Sequence, residues 1–172
     1  MDKRWIGILI ILIIGLCSMY IIVDSSTTVG TAITVVNKTV VTLPSHFSIE
    51  DSGNNYAKIV NKNTKEKVSF KDLGKKDIAL DSFNNKLNGL NKDSGINVRN
   101  SSTIDMNSTK VYKIDCQNLT TENTTNISIC YVYTCYHTFS IQFKNYNNDT
   151  NLNKDLEFII SNMKPDFKQS QD

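Results

Sequence analysis

Three residues carry the side chains best suited to chemistry: Cys130, Cys135 and His137. Two thiolates and an imidazole can ligate a soft metal or take part in redox steps. Their spacing argues against both roles. C-x4-C is not the C-x-x-C of a redox pair, and zinc sites usually show two short ligand pairs rather than one loose cluster. The other histidine, His46, is far upstream. Cys116 adds structural alternatives. A Cys116–Cys130 bridge across a hairpin is one pairing, and Cys130–Cys135 around a turn is another. The plainer reading is that these thiols are small buried apolar groups. Two histidines leave no Ser-His-Asp order to argue, and no glycine-rich phosphate loop is present. No catalytic residue, metal or cofactor is therefore expected.

An aromatic segment overlaps this cluster. Tyr131, Tyr133, Tyr136 and His137 precede Phe139, Phe143 and Tyr146. Stacked rings with polar tips can line a carbohydrate or peptide groove, so the first four are the expected ligand site. The competing reading is ordinary sheet packing.

Glycosylation supplies a third set. N-x-S/T occurs at Asn37, Asn100, Asn107, Asn118, Asn123, Asn126 and Asn148. With 21 Asn and 32 Ser plus Thr in 172 residues, about four would arise by chance. Such sites matter only if the domain lies outside the cytoplasm. Three of them crowd one loop around Glu122.

The stretch that decides this is Trp5 to Val23, 19 residues without a charge. As a helix it covers about 28 Å, close to the hydrocarbon thickness of a bilayer. Lys3 and Arg4 precede it, Asp24 and a polar run follow it, and Trp5 and Tyr20 sit near its ends. Positive-inside reasoning puts residues 1–4 in the cytoplasm and everything from Asp24 outward outside the cell membrane. A cleaved signal peptide would have a shorter apolar run and a small-residue cleavage site. Lipid attachment at Cys17 is disfavoured by Leu16 before it, and a pilin-type leader by Trp5 after Arg4. The expected organisation is a cytoplasmic N-terminus (1–4), a single-pass signal anchor (5–23), a tether (24–32), an extracytoplasmic domain (33–165) and a flexible tail (166–172).

Charge is nearly balanced, with 19 Lys plus Arg against 17 Asp plus Glu, formally +2. No basic face is implied, so nucleic acid is not an expected partner. The membrane is expected through residues 5–23, together with an envelope protein or surface polymer.

Several elements must position these groups. ITVV and TVVTL around Asn37-Lys38 read as a tight hairpin, and Pro44 ends its second strand. FSIE is a short extended piece before a turn at Asp51 to Asn55. Tyr56 to Val60 and Lys67 to Leu73 form a second hairpin. Asp77 to Leu90 reads as a helix with Asp77 as N-cap and a stripe of Leu80, Phe83, Leu87 and Leu90. Strands follow at Ile96 to Asn100, Thr103 to Met106, Lys110 to Cys116, Ile127 to Tyr133 and Thr138 to Phe143. A last helix, Asn151 to Met163, carries Leu152, Leu156, Ile159, Ile160 and Met163 on one stripe, and Pro165 ends it. The sum is an α+β domain, an antiparallel β-sheet with helices packed on it.

Val41 to Phe47 (VTLPSHF), the middle helix, Val111 to Ile114 (VYKI) and the closing helix resemble a group of small membrane-anchored surface proteins of methanogenic archaea. Their soluble part is similar to the PsbP-like fold, an α/β/α sandwich named after an extrinsic subunit of photosystem II. The resemblance covers about residues 33 to 165 and implies fold only, since that fold serves diverse accessory and binding proteins. The expected function is a non-catalytic accessory or binding domain of the cell envelope. The alternatives are a redox or metal protein using Cys130, Cys135 and His137, and a self-assembling surface subunit.

Overall fold

Asn37 and Lys38 have φ of 45° and 64°. Both central residues are thus in the left-handed region that a tight, twist-matched hairpin turn demands. The turn joins β1 (Ile33–Val36) to β2 (Thr39–Thr42). The computed structural model describes residues 32–106, 108–119, 124–134, 136–146 and 149–166. The apolar run 5–23, residues 24–31 of the tether and residues 167–172 of the tail lie outside that set. Among the described residues no helix is long and apolar enough to cross a membrane.

A second series of strands follows: β3 (Phe47–Gly53), β4 (Tyr56–Asn61) and β5 (Lys67–Gly74). Helix α1 (Ala79–Leu90) leads to a meander of β6 (Ile96–Met106), β7 (Thr109–Asn118), β8 (Thr125–Thr134) and β9 (His137–Lys144). Helix α2 (Asp149–Ser161) and the short β10 (Lys164–Pro165) close the chain. Seven strands pair antiparallel in the order β3-β4-β5-β9-β8-β7-β6, and β1-β2-β10 form a small separate sheet. The β5–β9 pair joins the early hairpins to the late meander.

The period of two along each strand sorts side chains to two faces. One face buries Phe70, Phe139, Ile141 and Phe143 against Val36 and Val41 of the small sheet and Leu152, Leu156 and Ile159 of α2. Each such side chain removed from water contributes about 1.5–3 kcal/mol. The other face packs Ile114, Cys116, Ile129 and Tyr131 against Ala79, Phe83, Leu87 and Leu90 of α1. The result is helix, sheet and helix in layers, as the α+β expectation has it.

Four details differ from the sequence expectation. FSIE extends to Gly53 and pairs fully with β4 across a bulge at Ile49/Asp51. Ile96 to Met106 is one strand, not two, because a bulge at Val98/Asn100 absorbs the break in alternation. Leu80 faces solvent, 48% exposed, while Ala79 takes the buried place at the start of α1. Asp77 sits just before the helix; its carboxylate accepts from the Ala79 amide at 3.4 Å, and Ile78 holds the capping position.

Candidate functional site

Helix α1 packs over β6, β7 and β8. On the same side of the sheet, β4, β5 and β9 present a polar surface beside it. The pairing register writes this surface in rows. Tyr56, Lys71, Ser140 and Tyr131 line up across β4, β5, β9 and β8. The next row is Lys58, Ser69, Gln142 and Ile129. Two adjoining depressions follow the rows. One, of about 460 Å³, is lined by Lys71, Leu73, Ser82, Asn85, Lys86, Ile129, Tyr131, Ser140 and Gln142. The other, of about 360 Å³, shares Lys71, Ser140 and Gln142 and adds Tyr56, Lys58, Ser69, Phe70 and Lys144.

Four lysines ring this groove. Lys58 reaches the Asp51 carboxylate at 3.5 Å. Lys71, Lys86 and Lys144 have no carboxylate partner among the described residues. Hydroxyls and the amides of Asn85 and Gln142 lie between them. None of the lining residues is a carboxylate, imidazole or thiol. The set can donate hydrogen bonds, stack a ring and attract negative charge. It has no general base of ordinary basicity and no soft metal ligand. Burial raises the Tyr131 phenol, and its hydrogen bond with Ser140 partly opposes that.

Three clusters of strongly buried polar groups lie elsewhere, closed on their neighbours. Asp72 accepts from Asn37 Nδ2 at 2.5 Å and from the Gly74 amide at 2.6 Å, and His137 Nδ1 lies 2.8 Å from its Oδ2. This set ties the β1–β2 turn, the end of β5 and the start of β9 together. Lys113, almost fully buried, pairs with Asp115 at 3.1 Å, and Ser128 donates to the same carboxylate at 2.5 Å. Tyr146 donates to Asp155 at 3.0 Å, with His46 3.4 Å from the other oxygen. Burial raises both the Tyr146 phenol and the Asp155 carboxyl; in Asp155 the Tyr146 hydrogen bond and His46 oppose it.

The expected site residues are scattered by this arrangement. Of the four aromatic candidates only Tyr131 lines the groove. Tyr133 shares its face but packs toward the α1 core. His137 points to the opposite face and is held at Asp72, and Tyr136 sits in the β8–β9 turn, 74% exposed. The reason is strand parity: odd residues of β8 and odd residues of β9 face opposite ways, because register places Tyr131 against Ser140.

Parity also separates the thiols. Cys116 lies opposite Ile127 and Cys130 opposite Lys113, so they project to different faces, and both are free and buried. The Cys116–Cys130 bridge, one of the pairings the sequence allows, is not formed. Burial pushes the Cys130 thiol up to about 12 and raises Cys116 as well. Cys130 is level with Ile141, four residues along β9 from His137. That is about 13 Å, too far to share a metal. Cys135 lies outside the described residues, among which no cluster of metal-ligating side chains occurs.

Of the sequons, Asn100 is exposed at the β6 bulge. Asn37 commits its amide nitrogen to Asp72. Asn118 and Asn126 are half-buried at the paired ends of β7 and β8, and Asn126 accepts from Gln117 at 3.5 Å. Asn107, Asn123 and Asn148 lie outside the described residues.

The groove lysines carried one legible signal. Lys67, Ser69 and Lys71 alternate with core residues, as do Ser140, Gln142 and Lys144. Their juxtaposition was not legible, because nothing in sequence says that β5 and β9 are neighbours.

The layered arrangement places the chain in a known class of α+β folds. Among solved structures it is similar to cyanobacterial PsbP (CyanoP) from Synechocystis, with TM-score 0.51 and 10% identity over 79% of this chain and 92% of that one. A protein from Bacteroides thetaiotaomicron matches with TM-score 0.56 and 12% identity over 79% of this chain, which spans only 48% of that longer protein. The yeast Ran-binding protein Mog1p aligns with TM-score 0.46 and 10% identity over 76% of this chain and 86% of that one. No protein family matches the chain, and no curated protein matches it either. At these identities the likeness concerns the fold: a PsbP-like antiparallel sheet with two helices.

Proposed function

We propose that this is a membrane-anchored, extracytoplasmic binding domain of the cell envelope, as in the archaeal surface proteins it resembles. It acts without catalysis by holding an acidic surface polymer or protein segment in the groove beside α1. The observation that carries this reading is the groove's lining: lysines, hydroxyls, two amides and two tyrosines, with no carboxylate, imidazole or thiol. Donors of that kind recognise a negatively charged, hydroxyl-rich ligand. Such a compact group of lysines is not the long basic stripe of a nucleic-acid binder. The anchor reading rests on the uncharged run Trp5 to Val23 and its flanks. The redox or metal alternative gains nothing from the geometry, since Cys130 and His137 are kept apart.

The test is crosslinking on intact cells with a membrane-impermeant lysine reagent, in the wild type and in a Ser140→Glu/Gln142→Glu variant, which turns the groove floor acidic and keeps every groove lysine as an attachment point. A crosslinked species that is lost in the variant supports the reading. Crosslinks indifferent to the two substitutions overturn the groove. Complete absence of labelling, in cells whose surface is otherwise labelled, overturns the outside topology.

A further inference from the structure

The outward face of the small sheet is unusual for a surface. Strand β1 alternates, burying Thr34 and Val36 and exposing Ile33 (59%) and Val35 (41%). Register sets Val35 beside Val40 and Ile33 beside Thr42, and on the far side of Val40 stands the exposed Lys164 of β10. Lys38 projects from the adjoining turn. Next to the turn, Val35, Asn37, Lys38, Gly53 and Asn54 line a cleft of about 370 Å³. A band of β-branched apolar side chains with lysines at its margin is the pattern of an interfacial element, whose apolar groups enter the headgroup boundary while cations meet anionic lipid.

Chain length brings this face close to a bilayer. Eight residues, 24–31, lie between the apolar run and Ala32. Fully extended they reach at most about 28 Å. The first folded strand after them is β1 itself, so the exposed apolar strand is the one nearest the anchor in sequence.

We infer that Ile33, Val35 and Val40, with Lys38 and Lys164, seat the small sheet on the headgroup layer of an anionic bilayer. The occupant is the lipid surface rather than a second protein: the face is small, its cations lie at its rim, and the tether limits how far it can move away. The cleft at Lys38 has room for a lipid phosphate. This inference rests on the anchor reading of residues 5–23.

The experiment uses the full chain in nanodiscs of phosphatidylcholine mixed with phosphatidylglycerol. Acylation rates of individual lysines by a water-soluble reagent are followed by mass spectrometry. Lys38 and Lys164 are expected to react about fivefold more slowly than the exposed Lys92, the effect of one surface lysine's attraction to anionic lipid. Val35→Ser, which alters only the apolar band, should raise their rates toward that of Lys92. Discs of phosphatidylcholine alone should give weaker protection. If the chain co-purifies with anionic discs and Lys38 and Lys164 react as fast as Lys92, the docking inference is overturned while the anchor stands. If the chain does not enter discs at all, the anchor reading fails and takes this inference with it.

Discussion

Asp72 gathers two donors and the His137 imidazole in a site where its side chain is 1% exposed. Replacing it with Ala leaves Asn37 and the Gly74 amide without an acceptor, so Asp72→Ala should lose about 3 kcal/mol in chemical denaturation. Asp155 behaves differently. Burial raises its carboxyl in the folded state, so its contribution to stability is present below the ordinary carboxylate range and is lost as pH rises through the folded value. Asp155→Asn, which keeps an acceptor for Tyr146, should therefore gain on the wild type as pH rises above the ordinary carboxylate range; a gap that narrows with rising pH would contradict the assignment. Cys130 should be inert. With its thiol pushed to about 12, about one group in ten thousand is ionised at pH 8, so alkylation should await unfolding. Sequence revealed the thiols, the tyrosines and His137 but not their partners. Asp72 is one acid among 17 in the chain, and only the fold brings Asn37 and His137 to it.

Elements were more legible than sites because alternation and stripes are local. The α2 stripe is buried as its spacing implies, with Leu152, Leu156 and Ile159 at 1% exposure or less. Leu80, at the N-terminal edge of the α1 stripe, is not, because Ala79, 1% exposed, takes the inward place in the first turn and leaves Leu80 facing solvent. The two leucines make a paired test in thermal denaturation: Leu156→Ala should cost about 3 kcal/mol, and Leu80→Ala should fall within about 0.5 kcal/mol of wild type. The β1–β2 turn offers another. Lys38 at φ 64° carries a steric cost that glycine avoids, so Lys38→Gly should stabilise by about 0.5 kcal/mol. The turn also separates two sequons. Mass spectrometry of material from the native host should find glycan on exposed Asn100 in preference to Asn37, whose amide is engaged by Asp72. The bulges in β3 and β6 were illegible for a plain reason: an inserted residue breaks the period that reveals a strand.

At the scale of the molecule, the α+β class followed from element order, and the PsbP-like layering agrees with the resemblance to CyanoP. Strand order could not be read, since two hairpins and a meander can be joined along more than one edge. The groove depends on that join, because its central row runs from Tyr56 on β4 to Tyr131 on β8 through the β5–β9 pair. If the groove binds an acidic polymer, binding should weaken as salt rises, with a shallower dependence in Lys71→Ser. The same pair has a temporal side. Strand β5 ends at Gly74, and its neighbour β9 is complete only at Lys144, seventy residues later. At about 5–20 residues per second, the nascent chain carries the open edge of β5 for several seconds. A holding chaperone on the synthesis or export route would find its binding site there, in a strand that the finished protein hides at the centre of its sheet.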